Sequence, residues 1–191
     1  MDHAVFIQTN PKQLTGALVA EHALRRYSQH NDSFEVRLIN SEDYPWFRAR
    51  EGQQYLRDGA HWEWLNDDLQ SFTPTRFMPP ELMGYRGRAV VIDPDIFAAA
   101  DIWTLLNRDM GGKAILCRMR SGPKGLIDRC WASSAMLLDC ARLTHWNVEA
   151  SFNAMFTDEL DYHDWICLKR EDPDSIGVLE AAWNDFYLYT A

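Results

Sequence analysis

Apolar residues in the first forty positions follow a strand spacing, then a helical spacing, then a strand spacing again. The run 4–8 is mostly apolar, residues 12–29 carry apolar side chains three and four positions apart, and 34–39 alternates between apolar and polar residues. Asn10 is expected to cap the helix and Pro11 to occupy its first position. A strand, a helix and a second strand in this order favour a parallel sheet.

The rest of the chain also alternates between predicted helices and strands. We expect a loop with short helical pieces over 40–60, and a short helix that ends near Gly84 before a strand over 88–92. Further expected elements are strands at 114–118 and 135–138, and helices at 100–106, 145–156 and 162–169 with caps at Asp101, Thr144 and Asp161. Because no repeat or linker interrupts them, we predict one α/β domain over 1–191, with a mainly parallel central sheet flanked by helices.

The amino-acid composition disfavours several classes of binding partner for this domain. The 191 residues carry a formal net charge of −9, which disfavours nucleic acid and anionic membranes as general partners. No apolar window is long enough to cross a bilayer, and the acidic first residues do not resemble a leader. The four cysteines show no zinc-type spacing, so we expect reduced thiols and a cytoplasmic location.

The strongest chemical signal is the acidic pair that follows the strand over 88–92. Asp93 and Asp95 are separated by Pro94, which restricts Asp93 to extended conformations and suits a strand that ends in a turn. Two carboxylates at a strand end suit Mg²⁺ or Mn²⁺, whose remaining ligands a substrate diphosphate would supply. The alternative is a solvated turn that caps the following helix.

The order of several landmarks resembles the GT-A fold glycosyltransferases, and specifically glycosyltransferase family 8 and its unclassified bacterial relatives. The resemblance covers nearly the whole chain, and the combination of Thr-x-Arg-Phe with Asp-x-Asp is its most specific part. The landmarks that carry it are Phe6–Pro11, Thr73–Leu82, Gly87–Asp95 followed by Ala100–Ile102, Trp131–Cys140, and Trp183–Asn184.

This resemblance implies a metal-dependent enzyme that moves a sugar from a nucleotide-diphosphate donor, most simply a UDP-sugar, to a glycan, lipid or small-molecule acceptor, with retention of configuration. Asp93 and Asp95 would bind Mn²⁺ or Mg²⁺ together with the diphosphate. The other implied site residues are Gln8, Thr9 and Asn10 at the base or ribose, Arg76 beside the diphosphate-sugar, Ser133 and Ser134 in the sugar pocket, and Asp164 near the transferred sugar.

Each of these roles has a structural alternative. Arg76 would also serve in a salt bridge, Ser133 and Ser134 in close packing of a buried strand, and Asp164 in the first turn of a helix, where the helix dipole favours an acidic residue. The loop from Arg118 to Arg129, which also carries Arg120 and Lys124, is basic enough to contact phosphate but suits a solvated loop as well.

The chain departs from the family pattern in one respect. The family has a histidine motif after the Trp-Asn segment that supplies a third metal ligand, and this sequence stops at Ala191 without it. We therefore expect either a truncated chain or an incomplete metal shell. A second function stays open, namely a non-catalytic nucleotide-binding or assembly module that keeps the transferase fold. A nucleotidyltransferase is a third, less favoured reading because no glycine-rich phosphate loop follows the first strand.

Overall fold

A six-stranded sheet forms the centre of the protein. The computed structural model describes residues 2–122 and 125–184, and for 121, 122 and 125–129 it describes the backbone alone. The sheet has the order β2-β1-β5-β7-β6-β8, and a separate hairpin pairs β3 with β4. Five strands of the sheet run in one direction and β7 runs against them, which confirms the predicted mainly parallel α/β fold. The strands are β1 His3–Thr9, β2 Glu35–Asn40, β3 Gln54–Arg57, β4 Ala60–Glu63, β5 Arg88–Ile92, β6 Ile115–Gly122, β7 Gly125–Asp139 and β8 Ile176–Val178.

The helices flank this sheet and most of them are short. They are α1 Leu14–Tyr27, α2 Pro45–Arg48, α3 Pro79–Leu82, α4 Trp103–Leu106, α5 Val148–Ala154 and α6 Tyr162–Ile166. Proline begins both α2 and α3, where its missing N–H would have had no helical partner. The predicted helices at 12–29, 145–156 and 162–169 are present. α1 and α5 are shorter than predicted at both ends, and α6 begins at the predicted residue but ends earlier.

Side-chain oxygens cap two of these helices. Asp161 caps α6 as predicted, because its carboxylate accepts hydrogen bonds from the N–H groups of His163 and Asp164. The prediction for Thr144 was wrong, since the side chain of Asn147 caps α5. Asn10 accepts a bond from the N–H of Gln13 and so closes the turn before α1 rather than capping α1 itself.

Both faces of the sheet are covered by apolar side chains. In β1, Ala4 and Phe6 belong to the cluster on one face, and Val5 and Ile7 belong to the cluster on the other. All four are at most 1% exposed. Burial of a large apolar side chain contributes about 1.5–3 kcal/mol, so these two layers hold the strand ends in fixed positions.

The first strand and the turn of the β3–β4 hairpin fall in the segment 40–60 that we expected to be a loop, and β4 begins at its last residue. The two-residue turn is Asp58-Gly59, and both residues have positive φ, at 53° and 72°. An Asp-Gly pair with this backbone is the preferred hairpin turn, because it matches the twist of the two strands. Half of the residues in the flanking strands are polar, and all four residues of β4 are exposed. Apolar alternation therefore gave little signal there.

The cysteines also differ from expectation. Cys130 in β7 and Cys167 directly after α6 form a disulfide, whereas Cys117 and Cys140 are free and buried. The prediction of reduced thiols was therefore wrong for the first pair. Burial raises the pKa of the Cys117 and Cys140 thiols, so both are protonated at neutral pH. In the described ranges, no helix is long and apolar enough to cross a membrane.

Candidate active site

The acidic pair lies at the end of β5, on the edge of the sheet where most strands finish. The N–H of Asp93 donates to the carbonyl of Ser134 at 2.9 Å, which carries the pairing of β5 and β7 one residue past the strand. Asp93 is half-buried and Asp95 is exposed, and both line one cavity of about 410 Å³. Arg76 and Arg120 line the same cavity. Two of the predicted carboxylates and two of the predicted arginines thus border one opening at the strand ends.

Arg76 holds Asp93 through two parallel hydrogen bonds. Its Nε donates to Asp93 Oδ1 at 3.0 Å and one terminal nitrogen donates to Oδ2, while the other terminal nitrogen donates to Ser133 Oγ at 3.1 Å. Ser133 in turn donates to the carbonyl of Ile166 at 2.7 Å. Burial raises the pKa of Asp93, and the charge and hydrogen bonds of Arg76 oppose that rise. Arg76 and Asp93, which were both predicted as site residues, therefore form a bidentate ion pair.

Gln8 belongs to the same network, but the next residue, Thr9, does not. Gln8 is the next residue along β1 after the pair Ile7–Ile92, and its amide donates to Asp93 Oδ1. Thr9 is buried and its hydroxyl donates to the carbonyl of Asn10 at 3.1 Å.

Asn10 faces a different cavity of about 260 Å³, which Lys12 and Arg48 also line. Its amide nitrogen donates to the carbonyl of Asp68 and to Ser71 Oγ, at 3.1 and 3.2 Å. The structure thus separates the three residues that the resemblance put at the base or ribose. Gln8 reaches the acidic pair, and Asn10 borders the second cavity.

The side chains of the remaining predicted site residues, Ser134 and Asp164, make their hydrogen bonds to groups other than the acidic pair. Ser134 is buried and accepts a hydrogen bond from the side-chain amide of Asn184 at 3.0 Å. Asp164 pairs with Lys169 at 2.7 Å and is not among the described residues that line the cavity with Asp93. The structure therefore does not bring Asp164 to the acidic pair, and its role near a transferred sugar stays a prediction.

Among the described side chains of the basic loop, one lines the cavity. Arg120 lines it, and burial, followed by the charge of Arg76, lowers the pKa of Arg120. Arg118 donates to the carbonyl of Asn184. Lys124 and the side chain of Arg129 lie outside the described residues.

Several residues of this cavity were missed in the sequence. Arg57 and Asp58 reach it from the β3–β4 hairpin, and Tyr162 and His163 reach it from α6. The guanidinium of Arg57 lies 5.0 Å from the centre of the Tyr162 ring, a cation–π contact. The Asp58-Gly59 dipeptide was the signal that would have located the hairpin, but nothing local in the sequence indicates that its turn contacts α6.

The acidic pair has the donor chemistry that a hard divalent ion requires. Mg²⁺ and Mn²⁺ bind through one or two protein carboxylates and take the rest of their ligands from phosphate and water. Among the side chains and backbone groups that the structure describes, Asp95 makes no hydrogen bond, and Asp93 Oδ2 accepts only from Arg76. Both carboxylates therefore retain free lone pairs next to the cavity, and the residues fit the ion.

This arrangement of strands, with an acidic pair at the end of β5, is the GT-A fold of glycosyltransferases. The glycosyltransferase GlyE of Streptococcus pneumoniae TIGR4 superposes with a TM-score of 0.61 at 14% identity, over 95% of this chain and 46% of that one. The galactosyltransferase LgtC gives 0.60 at 12% identity, over 93% of this chain and 73% of that one. Mouse xyloside xylosyltransferase 1 gives 0.55 at 14% identity, over 95% and 86%.

These similarities are structural and establish the fold alone. The chain spans less than half the length of GlyE. No family model matches the sequence, and no curated protein matches it.

Proposed function

We propose that this protein is a glycosyltransferase that uses a nucleotide-diphosphate sugar, most simply a UDP-sugar, and a divalent metal ion. The observation that carries the proposal is the joint placement of Asp93, Asp95, Arg76 and Arg120 around one cavity at the strand ends of a GT-A fold. Open α/β sheets bind ligands at this edge. Two acidic and two basic side chains suit a ligand that arrives as a metal diphosphate. The family 8 resemblance of the sequence agrees with this assignment.

Asp93 and Asp95 would hold Mn²⁺ or Mg²⁺, which when bound would offset the negative charge of the departing diphosphate. Arg120 offers that diphosphate a further cation at the cavity wall. Arg76 keeps the carboxylate of Asp93 oriented through its paired hydrogen bonds, and Gln8 does so from β1. Ser133 fixes Arg76 rather than facing a sugar directly.

Other parts of the proposal rest on the resemblance. Thr9 and Asn10 would lie at the base or ribose, Ser134 at the sugar and Asp164 near the transferred group. The acceptor would be a glycan, a lipid or a small molecule, and the configuration of the sugar would be retained. The expected cytoplasmic location rests on the cysteine spacing instead of the resemblance, and the Cys130–Cys167 disulfide does not support it.

Calorimetric titration of UDP, with and without Mn²⁺, tests the metal and the donor together. For the unchanged protein we expect UDP binding that depends on Mn²⁺. Asp95→Ala should weaken it at least about tenfold, equivalent to about 1.4 kcal/mol. Asp32→Ala is the matched control, because it removes the same charge from an exposed turn before β2, at the opposite end of the parallel strands. UDP binding that neither needs metal nor responds to Asp95→Ala would overturn the proposal.

The second candidate is a non-catalytic nucleotide-binding or assembly module with the same fold. The hydrogen bonds of Asp93 favour it, because Arg76 and Gln8 already occupy both carboxylate oxygens and a metal must share them. This alternative predicts UDP binding without release of UDP from UDP-glucose, UDP-galactose or UDP-xylose at saturating Mn²⁺. Release of UDP above the level seen with Asp95→Ala would exclude it.

A further inference from the structure

Three side chains that can ligate a soft metal meet at the wall of the cavity. Cys130, His163 and Cys167 each place a ligand atom so that all three atoms lie within 4.8 Å of one another. Both cysteines are buried, and His163 is partly exposed and lines the cavity. We propose that Cys130, His163 and Cys167 form a zinc site when the Cys130–Cys167 disulfide is reduced. This inference does not depend on the proposed transferase activity.

The local fold explains why these residues converge. The N–H of Cys167 donates to the carbonyl of His163 at 3.0 Å, which is the i to i−4 bond of a helix. Side chains four residues apart project from the same face of a helix, as in known helical zinc sites. Cys130 comes from β7, where the neighbouring Trp131 donates its N–H to the carbonyl of Cys167 at 3.1 Å. The backbone therefore holds the third ligand against the first two.

Asp58 supplies the outer partner that metal-binding histidines usually have. Its carboxylate lies 2.5 Å from Nδ1 of His163. A proton on Nδ1 shared with this carboxylate leaves the lone pair of the imidazole on Nε2. Carboxylates in this position orient the ring and strengthen it as a ligand, and their loss usually costs about 10–100-fold in metal affinity. The hairpin turn that carries Asp58 thereby becomes part of the site.

Two thiolates and one imidazole select zinc rather than the ions expected at Asp93 and Asp95. Thiolates favour zinc and other soft ions, whereas Mn²⁺ and Mg²⁺ favour oxygen. Tetrahedral zinc with bonds of about 2.3 Å to sulfur needs the two sulfurs about 3.8 Å apart, which requires the disulfide to open. Three protein ligands leave the fourth position for water, as in open zinc sites. The cavity beside His163 provides the entry path.

The chemistry balances with a thiol as reductant. Two external thiols give two electrons and two protons to the Cys130–Cys167 bond, and they become one external disulfide while both cysteines become thiols. Zinc then displaces one proton from each thiol as the two zinc–sulfur bonds form. Oxidation by a disulfide reverses the sequence and releases the ion. The same two cysteines thus have a metal-free oxidised state and a metal-bound reduced state.

The test is metal binding by the full chain before and after reduction. The protein is reduced with a phosphine, desalted without oxygen and titrated with Co²⁺, whose bonds to thiolates give an absorption band near the ultraviolet. We expect one Co²⁺ per reduced chain with this band, displacement by one Zn²⁺, and no band from the oxidised chain. Asp58→Ala should weaken Zn²⁺ binding by about 10–100-fold.

Variants identify the ligands. His163→Gln keeps both thiols and should weaken zinc binding at least as much as Asp58→Ala, and Cys167→Ser should abolish the thiolate band. A Cys117→Ala and Cys140→Ala double variant is the matched control and should keep one zinc per chain. If Cys167→Ser does not fold, the comparison of reduced with oxidised wild-type protein still decides the question. Absence of the band from the reduced wild type, or a band unaffected by His163→Gln, would overturn the proposal.

Discussion

Removal of the Arg76 side chain is the most direct test of the network at the strand ends. The Arg76 side chain is 7% exposed and that of Asp93 is 15% exposed, so Arg76→Ala leaves a carboxylate with little access to water. Loss of one partner from a buried ion pair usually costs about 3–5 kcal/mol. Asp93 borders the cavity, where water can replace part of the lost contact. We therefore expect a loss near the lower end, about 3 kcal/mol in the free energy of unfolding.

The pH dependence of that loss follows from the pKa of Asp93. Burial already raises this pKa in the folded protein, and Arg76→Ala removes the two influences of Arg76 that lower it. A folded-state pKa above the unfolded value means that the contribution of Asp93 to stability is greatest below the unfolded pKa of about 3.9. That contribution is lost as the pH rises through the folded pKa. The penalty for Arg76→Ala should therefore be larger at pH 7 than at pH 4.5.

Urea unfolding at these two pH values, followed by tryptophan fluorescence, measures both effects. Arg25→Ala is the control, because Arg25 forms an exposed pair with Glu21 four residues earlier in α1 and should cost less than about 1 kcal/mol. Replacement of both partners, as Arg76→Met with Asp93→Leu, should cost less than Arg76→Ala alone because no buried charge is left unpaired. A loss below about 1 kcal/mol, or one that grows on acidification, would refute this reasoning.

Other substitutions test the supports of the site. Gly16→Ala should destabilise the protein by about 1–3 kcal/mol in urea unfolding, because the new methyl carbon would lie 2.7 Å from the Pro94 carbonyl oxygen; an unchanged midpoint would contradict this contact. Asp161→Ala should cost about 0.5–2 kcal/mol through loss of the α6 cap, and Asp161→Asn should recover most of it. Burial raises the pKa of Asp101, but hydrogen bonds led by Ser28 outweigh it and lower the value to about 2. Stability should therefore fall between about pH 4 and pH 2, and thermal melts of Asp101→Asn should show a weaker dependence in that range.

The sequence predicted those features that local chemistry determines. The apolar run before Asp93 marked a buried strand, and the acidic residues directly after it had to lie at a strand end. Asp161 before α6 was recognisable as a cap because its side chain needs only the next turn of the same helix. The strand-helix-strand opening similarly fixed the parallel direction of β1 and β2.

Features that depend on distant segments were not predictable in this way. Cys130 and Cys167 are separated by 37 residues and have no motif spacing, so their disulfide follows only from the packing of α6 on β7. Tyr162 and His163 reach the cavity for the same reason. β7 begins at Gly125 rather than near Ala135, because its first half does not present the continuous apolar run by which we located the strand.

Because apolar side chains cover both faces of the sheet, the polar residues at the strand ends also help to set the register of the strands. A strand that slips by one residue exchanges its two faces, and in β1 both faces carry apolar side chains, so hydrophobicity alone penalises such an error weakly. A slip would, however, turn Gln8 away from Asp93. The residues proposed to bind the sugar donor therefore also hold the neighbouring strands of the sheet in register. A related protein that had lost its catalytic activity would still need these residues for correct strand register. Their presence in relatives would therefore not by itself demonstrate an active enzyme.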